Sequence, residues 1–189
     1  MEDFNREGVT FTKIQQLFRL LLPKNTKTLH VYNKFTDFDP KEIKKKYNIH
    51  IKGIILDVDE TISLCRGKIL PQNVKHLDKL IKQGLKIVLM SNMIKTGRYD
   101  VLNKKIKVMT NFPPKPEPKG FKMALKELAV PRENIVMIGD NYITDGGAIQ
   151  LNIPFVRVKP IPKKHQSFPE FVHSFIRRFF IILSRIYHQ

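Results

Sequence analysis

The sequence predicts one α/β domain of three layers, in which helices cover both faces of a central parallel β-sheet. Between residues 52 and 160, short aliphatic or β-branched runs alternate with amphipathic helical stretches, a pattern typical of βαβ units. The predicted strands are largely apolar along their whole length, as strands buried on both faces are. With 189 residues, 42% of them hydrophobic, the chain is long enough for one core and short for two. We therefore expect a single domain over residues 1–189 with its core at 52–160.

The core is predicted to contain five strands and three helices. The strands are expected at 53–56, 86–90, 106–109, 134–138 and 155–158, and the helices at 73–83, 119–128 and 145–151. The first of these helices places Leu77 and Leu80 on one apolar face, with Pro71 before it and Gly84 as a stop signal after it. The order of elements thus supports a parallel sheet.

Two further helices are predicted outside the core, at about 12–22 and 168–187. In the second, apolar residues recur every three or four positions with arginines between them, which indicates an amphipathic helix. Its longest unbroken apolar run, 179–183, is far shorter than the roughly 20 residues that span a bilayer. Such a helix can lie on a membrane surface but not cross it. The alternative is that its apolar face packs on the domain or on a second subunit.

The composition indicates an acidic partner and a reducing compartment. Lysine and arginine number 34 against 17 acidic residues, a net charge of +17, which favours binding to nucleic acid, to an anionic membrane or to a phosphorylated substrate. Solvated lysines spread along the chain are the alternative explanation. Cys65 is the only cysteine, which excludes an internal disulfide and a cysteine-based zinc cluster. The first residues include acids and no apolar core, unlike a secretory signal or a transit peptide, so we expect a cytoplasmic protein.

The candidate site begins where the first core strand ends, in the sequence Ile-Ile-Leu-Asp-Val-Asp-Glu-Thr at 54–61. The carboxyl ends of parallel strands are where open α/β sheets bind ligands. Phosphoryl transfer requires a nucleophile and a proton donor for the leaving oxygen, and Asp57 and Asp59 can supply both. Their position at the strand end does not decide which residue has which role. Taken alone, the motif also fits a calcium loop or a strand-to-turn transition.

Three more polar segments follow later strands. Ser91 and Asn92 offer a hydroxyl and backbone N–H groups, and Lys115 stands between prolines that restrict its backbone. Asp140 and Asp145 follow the strand at 134–138 and provide the hard oxygen ligands that suit Mg²⁺. Each segment has an alternative by itself, respectively a turn, a solvated linker lysine and a helix N-cap.

Taken together in their order along the chain, these segments resemble the four motifs of the haloacid dehalogenase-like (HAD) phosphatases, which have a Rossmann-like three-layer fold. The matching residues are Asp57-x-Asp59-x-Thr61, Ser91, Lys115 and Gly139-Asp140-x4-Asp145, within residues 52–158. The resemblance implies that Asp57 attacks phosphorus and forms an aspartyl phosphate. It also implies that Asp59 protonates the leaving group and later activates water.

The same resemblance implies a phosphate site and a magnesium site. The phosphate-binding residues would be Thr61, Ser91, Asn92 and Lys115. Mg²⁺ would be held by Asp57, the backbone carbonyl of Asp59 and Asp140, with Asp145 acting directly or through water. Lys119 is a rival for the motif lysine, but Lys115 precedes Pro-x-Pro as the family pattern has it.

Family members that act on small metabolites usually carry a cap domain, inserted after the first or the second motif. Neither interval has room for a sizeable cap here, so we expect an open site and a large or surface-bound substrate. More narrowly, the chain resembles the YqeG-type branch (subfamily IIIA), whose relatives include phosphatidylglycerophosphate phosphatases. The supporting segments are residues 52–59, Lys115-Pro116 and 139–147, whereas Glu60 stands where that branch usually has Asn.

We therefore expect a Mg²⁺-dependent phosphatase of phospholipid biosynthesis, peripheral at the inner face of the membrane, whose substrate is a lipid head-group phosphomonoester. A phosphatase of nucleic-acid ends or phosphoproteins is the alternative enzyme. Nucleic acid is disfavoured because the aromatics cluster in the terminal helix rather than among the lysines of a sheet or loop, where bases would stack. A non-catalytic basic scaffold is the alternative of another class, although a scaffold has no use for a nucleophile beside an acid.

Overall fold

A six-stranded parallel β-sheet forms the centre of the computed structural model, which describes residues 11–93, 97–162 and 168–188. The strands are β1 (His30–Tyr32), β2 (Gly53–Leu56), β3 (Lys86–Met90), β4 (Lys107–Met109), β5 (Ile135–Gly139) and β6 (Phe155–Val158). Their order is β1-β6-β5-β2-β3-β4, and every neighbouring pair is parallel. The predicted parallel α/β sheet is confirmed, with β2 at its middle.

Five α-helices accompany the strands among the described residues. They are α1 (Phe11–Leu20), α2 (Pro40–Tyr47), α3 (Pro71–Lys82), α4 (Pro118–Leu128) and α5 (Phe168–Tyr187). Short 3₁₀ segments occupy Pro23–Thr26, Phe35–Asp37, Arg132–Asn134 and Asp145–Leu151. No helix within the described residues has the length and apolar content needed to cross a membrane.

The helices form two layers because alternate residues of each strand point to opposite faces of the sheet. Ile54 lies in a core cluster with residues of α2 and α3, whereas its neighbour Ile55 lies in a second cluster with residues of α1, α4 and α5. Leu20 of α1 and Phe180 of α5 are buried in that second cluster. Among the described residues, the intervals where a cap would be inserted contain only loops, α3, β3 and β4.

The sheet begins earlier in the chain than we expected. We placed the start of the core at residue 52 and missed β1, which pairs with β6. This strand has only three residues at the edge of the sheet, and Val31 is 44% exposed, so it lacks the apolar run that marks the inner strands. We also missed α2, because its sequence is a lysine cluster with a single fully buried residue, Ile43.

Candidate active site

The candidate site lies at the carboxyl ends of the three central strands. Leu56, the last residue of β2, is paired with Leu89 of β3 and Ile138 of β5, so the polar residues that follow these strands meet at one edge. They surround a cavity of about 170 Å³. Its lining consists of Asp57, Asp59, Glu60, Asn92, Lys115, Asp140, Asn141 and Thr144. The structure thus brings together all three polar loops that follow β2, β3 and β5, with the proline-flanked lysine.

Asp57 is held in place through its backbone and through both carboxylate oxygens. Its N–H donates to the carbonyl of Ile138 at 2.9 Å, which continues the β2–β5 ladder beyond the end of β2. Thr61 Oγ1 donates to Oδ2 at 3.0 Å, and Lys115 Nζ donates to Oδ1. Burial first, and then the nearby Asp145 carboxylate, raise the pKa of Asp57 to about 7, although Lys115 acts in the opposite direction. Thr61, which we predicted to bind phosphate, therefore contacts the candidate nucleophile.

Lys115 is a buried cation, 2% exposed, that lies between two carboxylates. Its ammonium donates to Asp57 Oδ1 and, at 2.7 Å, to Asp145 Oδ1. Burial disfavours the charged form, but the Asp145 and Asp57 carboxylates outweigh it and raise the pKa of the lysine. Asn92 fixes the lysine backbone, since its Oδ1 accepts from Lys115 N at 2.9 Å and its Nδ2 donates to Lys115 O at 3.1 Å. The side-chain amide of Asn92, which we predicted to bind phosphate, thus positions the lysine. The peptide bond between Lys115 and Pro116 is cis.

The loop after β5 is folded tightly around Asp145, which is fully buried. Asn141 N donates to Asp145 Oδ2 at 3.2 Å. Gly139 permits this arrangement, because a Cβ atom there would lie 2.2 Å from the same oxygen. We expected an α-helix at 145–151, but the segment is 3₁₀. In it, Gly147 lies so close to the lysine loop that a Cβ would come within 2.5 Å of the Pro116 carbonyl.

Three buried carboxylates in the site could hold a metal ion. One oxygen from each of Asp57, Asp140 and Asp145 lies within 4.8 Å of the others. Hard oxygen donors of this kind suit Mg²⁺, and the crowding that raises the pKa of Asp57 is relieved by a bound cation. The residues present therefore fit the predicted magnesium ion. The Asp59 side chain is not one of the three.

Asp59 has different surroundings from Asp57. Its side chain is 27% exposed, and its carboxylate accepts hydrogen bonds from Arg98 Nη1 at 3.0 and 3.3 Å and from Arg66 N at 2.8 Å. Ser91 Oγ donates to Asp59 Oδ2 at 3.4 Å and accepts from Met93 N. Ser91, predicted to bind phosphate, thus lies against the candidate acid.

Arg98 was missed in the sequence, where it reads as one of many scattered basic residues. It lies in an irregular stretch with no apolar periodicity, and its contact with Asp59 joins residues 39 positions apart. Its closeness to Ser91 along the chain is the one signal that could have singled it out.

Comparison with known proteins identifies the family. Residues 41–150 match the haloacid dehalogenase-like hydrolases, a span that exceeds half of the chain and contains every site residue named above. The chain belongs to the haloacid dehalogenase-like hydrolases. The predicted superfamily, and the prediction of a hydrolytic enzyme, are thereby confirmed.

Individual relatives are more distant. The Bacillus subtilis (strain 168) protein named "Probable phosphatase YqeG" is 26% identical over 108 residues, which cover 56% of this chain and 60% of that protein. The match thus spans less than two thirds of this relative. A solved structure of an uncharacterized protein from Listeria monocytogenes serotype 4b is 16% identical, with a TM-score of 0.46, and the match covers 62% of this chain and 85% of that one. The structure of CbbY from Rhodobacter sphaeroides in complex with phosphate is 14% identical, with a TM-score of 0.44 and coverages of 62% and 90%.

Proposed function

We propose that this chain is a Mg²⁺-dependent phosphatase that hydrolyses phosphomonoesters through an aspartyl phosphate on Asp57. The observation that carries the proposal is the Asp57 carboxylate itself, which lies in the cavity wall and is oriented by Thr61 on one oxygen and Lys115 on the other. Membership of the hydrolase family and the name of the Bacillus subtilis relative support the same activity.

The two carboxyl groups divide the reaction between them. A carboxylate oxygen of Asp57 bonds to phosphorus while the bond from phosphorus to the leaving oxygen breaks, and that oxygen takes the proton of Asp59. Water then attacks the same phosphorus and gives its proton to Asp59, and the bond from phosphorus to Asp57 breaks. Inorganic phosphate is released, and both carboxyl groups return to their starting state.

The remaining site residues organise charge around the phosphoryl group. Lys115 offers positive charge beside the Asp57 carboxylate, and Asn92 keeps that lysine in position. Asp57, the backbone carbonyl of Asp59 and Asp140 would hold the Mg²⁺, which when bound supplies positive charge that stabilises the transferring phosphoryl group. Asp145 would assist the metal directly or through water, and its two oxygens also accept hydrogen bonds from Lys115 and Asn141, so that it anchors the lysine.

We propose further that the substrate is a lipid head group at an anionic bilayer. The terminal helices turn large apolar side chains to solvent, including Phe18 at 69% and Phe179 at 49% exposure. The end of α5 lies beside the end of α1, where the Tyr187 hydroxyl donates to the Leu21 carbonyl. Exposed basic residues accompany them, namely Arg19, Arg178 and Arg185. Basic residues near an anionic surface contribute about 1 kcal/mol each.

The helix α1 packs against the loop that carries Asp140. Gln16, on the inner side of α1, contacts the carbonyl of Tyr142, two residues after Asp140, at 3.5 Å. A bilayer that bound the outer sides of α1 and α5 would therefore bring head groups near the open cavity. This arrangement supports the YqeG-type, phosphatidylglycerophosphate phosphatase branch over a nucleic-acid phosphatase.

The activity test compares three substrates with wild type and Asp57→Asn. Mg²⁺-dependent phosphate release is measured from phosphatidylglycerophosphate in mixed micelles, from a 3′-phosphorylated oligonucleotide and from p-nitrophenyl phosphate. We expect turnover of the lipid to exceed that of the oligonucleotide and to vanish in Asp57→Asn. Preference for the oligonucleotide would reject the lipid assignment. No hydrolysis by folded, Mg²⁺-loaded wild type would favour a binding scaffold.

The membrane surface has its own test. Phe18→Ser combined with Phe179→Ser is compared with Val101→Ser, which changes another exposed apolar residue, in cosedimentation with phosphatidylglycerol vesicles. Burial of a phenylalanine side chain contributes about 1.5–3 kcal/mol, so we expect the double variant to bind at least about tenfold more weakly. Equal binding by all three proteins would contradict the proposed surface.

A further inference from the structure

Arg98 contacts the Asp59 carboxylate but is not among the residues that line the cavity. Its side chain is 1% exposed, whereas the Asp59 side chain is 27% exposed and lines the cavity. The guanidinium donates from Nη1 to both Asp59 oxygens and from Nη2 to Ser63 Oγ at 2.5 Å, and its Nη1 also lies 3.3 Å from Met93 Sδ. Arg98 thus joins the candidate acid to a buried hydroxyl.

Ser63 is a fixed anchor for this guanidinium. It is fully buried, and its Oγ lies 3.1 Å from the carbonyl of Val58 and 2.9 Å from the carbonyl of Leu64. Its backbone N–H also donates to the Val58 carbonyl at 3.0 Å. Because Val58 is the residue between Asp57 and Asp59, the anchor belongs to the loop that carries both carboxylates.

The burial of Arg98 argues against direct contact with a substrate, since only 1% of its side chain reaches solvent and the residue is not part of the cavity lining. Stability is also a weak reason for the pair, because buried ion pairs are often no more stable than apolar side chains of similar volume. A rigid fork that bonds to a carboxylate and a hydroxyl together is, however, well suited to fix an orientation. The contacts therefore indicate an action through Asp59.

We propose that Arg98 is a positioning residue, which holds the Asp59 carboxyl group toward the cavity for proton transfer to the leaving oxygen. This inference rests on the proposed phosphatase function. The proposal predicts different effects for alkyl and aryl phosphates. An alkoxide leaving group requires a proton in the first step, whereas p-nitrophenolate leaves without one. Loss of Arg98 should therefore slow the first step for an alkyl phosphate and leave it nearly unchanged for an aryl phosphate.

The test measures single turnovers with enzyme in excess, which isolates the first step from hydrolysis of the phosphoenzyme. Arg98→Gln removes the charge and the fork, whereas Arg98→Lys keeps the charge and loses the fork. General acid catalysis typically contributes 10²–10⁴-fold, so in both variants we expect release of the alcohol from glycerol phosphate to fall by about 100-fold. Release of p-nitrophenol should stay within about threefold of wild type, since it does not need the acid.

Two further variants complete the comparison. Arg132→Gln makes the same change at an exposed arginine at the opposite ends of the strands, before β5, and should leave both rates unchanged. Ser63→Ala removes the anchor while retaining Arg98 and Asp59. This variant tests the proposal if the Arg98 variants do not fold. We expect Ser63→Ala to slow release of the alcohol from the alkyl phosphate by about tenfold, because proton transfer from Asp59 would be partly lost. Release of p-nitrophenol from the aryl phosphate should hardly change.

Equal losses for both substrates would show that Arg98 only supports the loop, and would overturn the proposal. Full alkyl phosphate activity in Arg98→Lys would show that charge, not orientation, is what matters, and would overturn it as well. These failures are distinguishable from failure of the phosphatase function. In that case wild type itself would release neither alcohol nor p-nitrophenol, and both proposals would fall together.

Discussion

The two carboxylates of the first motif differ in how their charge is balanced. On one side, Asp57 shares a single ammonium, that of Lys115, with Asp145, and Asp140 completes a group of three acids. On the other side, Asp59 has a guanidinium of its own in Arg98. Burial and crowding raise the pKa of Asp57, and the same crowding favours a bound divalent cation. The difference suggests that metal and nucleophile belong to the Asp57 side and proton transfer to the Asp59 side.

The largest effect is expected when the shared ammonium is removed by Lys115→Met. Two buried carboxylates then lose their common partner, so activity should fall by about 100- to 1,000-fold, the scale of one electrostatic contact to the reacting group. The free energy of unfolding should fall by about 3–5 kcal/mol, as when a buried ion pair is broken. Phosphate release and urea denaturation measure these changes.

Lys119→Met is the matched control, since Lys119 is exposed and was the rival for the motif lysine. We expect it to keep wild-type activity and stability. If Lys119→Met lost activity while Lys115→Met kept it, the assignment of the lysine would be reversed.

The next effect concerns the metal. Mg²⁺ at about 100 times its dissociation constant should add about 2.7 kcal/mol to the stability of wild type. For a chain of this size, that corresponds to a rise in Tm of about 5–10 °C. Asp140→Asn should lose most of this rise, because it removes a carboxylate from the group of three. Asp59→Asn should keep it, since the proposed ligand there is the backbone carbonyl. Thermal melts with and without Mg²⁺ measure this rise in Tm for each variant. An equal rise in Asp140→Asn and Asp59→Asn would show that the metal does not distinguish the Asp57 side of the site from the Asp59 side.

The strands that build the site were predictable, because β2, β3 and β5 are buried on both faces and their apolar runs end at polar loops. The strand β1 and the helix α2 were not, since an edge strand of three residues and a lysine-rich helix each carry little apolar signal. The order of the polar loops along the chain, together with the family resemblance of their motifs, predicted that Asp57, Lys115 and Asp145 belong to one site. The side-chain directions depended on tertiary contacts.

Asn92 and Arg98 illustrate what the sequence could not indicate. The sequence pattern of an asparagine after a strand is the same whether its amide binds a phosphate or contacts another part of the chain. Here the amide contacts the backbone of Lys115, 23 residues away. An arginine in an irregular loop is equally ambiguous, and only the packing of that loop against Ser63 and Asp59 gives it a partner. Both residues contact a site residue, and such contacts join distant parts of the chain.

The last effect is the pH dependence of stability that the raised pKa of Asp57 implies for the metal-free protein. The pKa of Asp57 rises from 3.8 to about 7 on folding, so the folded state holds this proton more tightly than the unfolded state. The stabilisation is complete below about pH 4 and is lost as the pH rises through 7. Relative to Asp57→Asn, which does not titrate, wild type in EDTA should therefore lose stability between pH 4 and 7, by at most about 4 kcal/mol at about 1.4 kcal/mol per pKa unit. Urea denaturation at several pH values measures the difference, and Mg²⁺ should abolish it, since a bound cation favours the ionised carboxylate. A difference that stayed constant with pH would mean that Asp57 is already ionised without metal, and that Lys115 alone balances the charge on this side of the site.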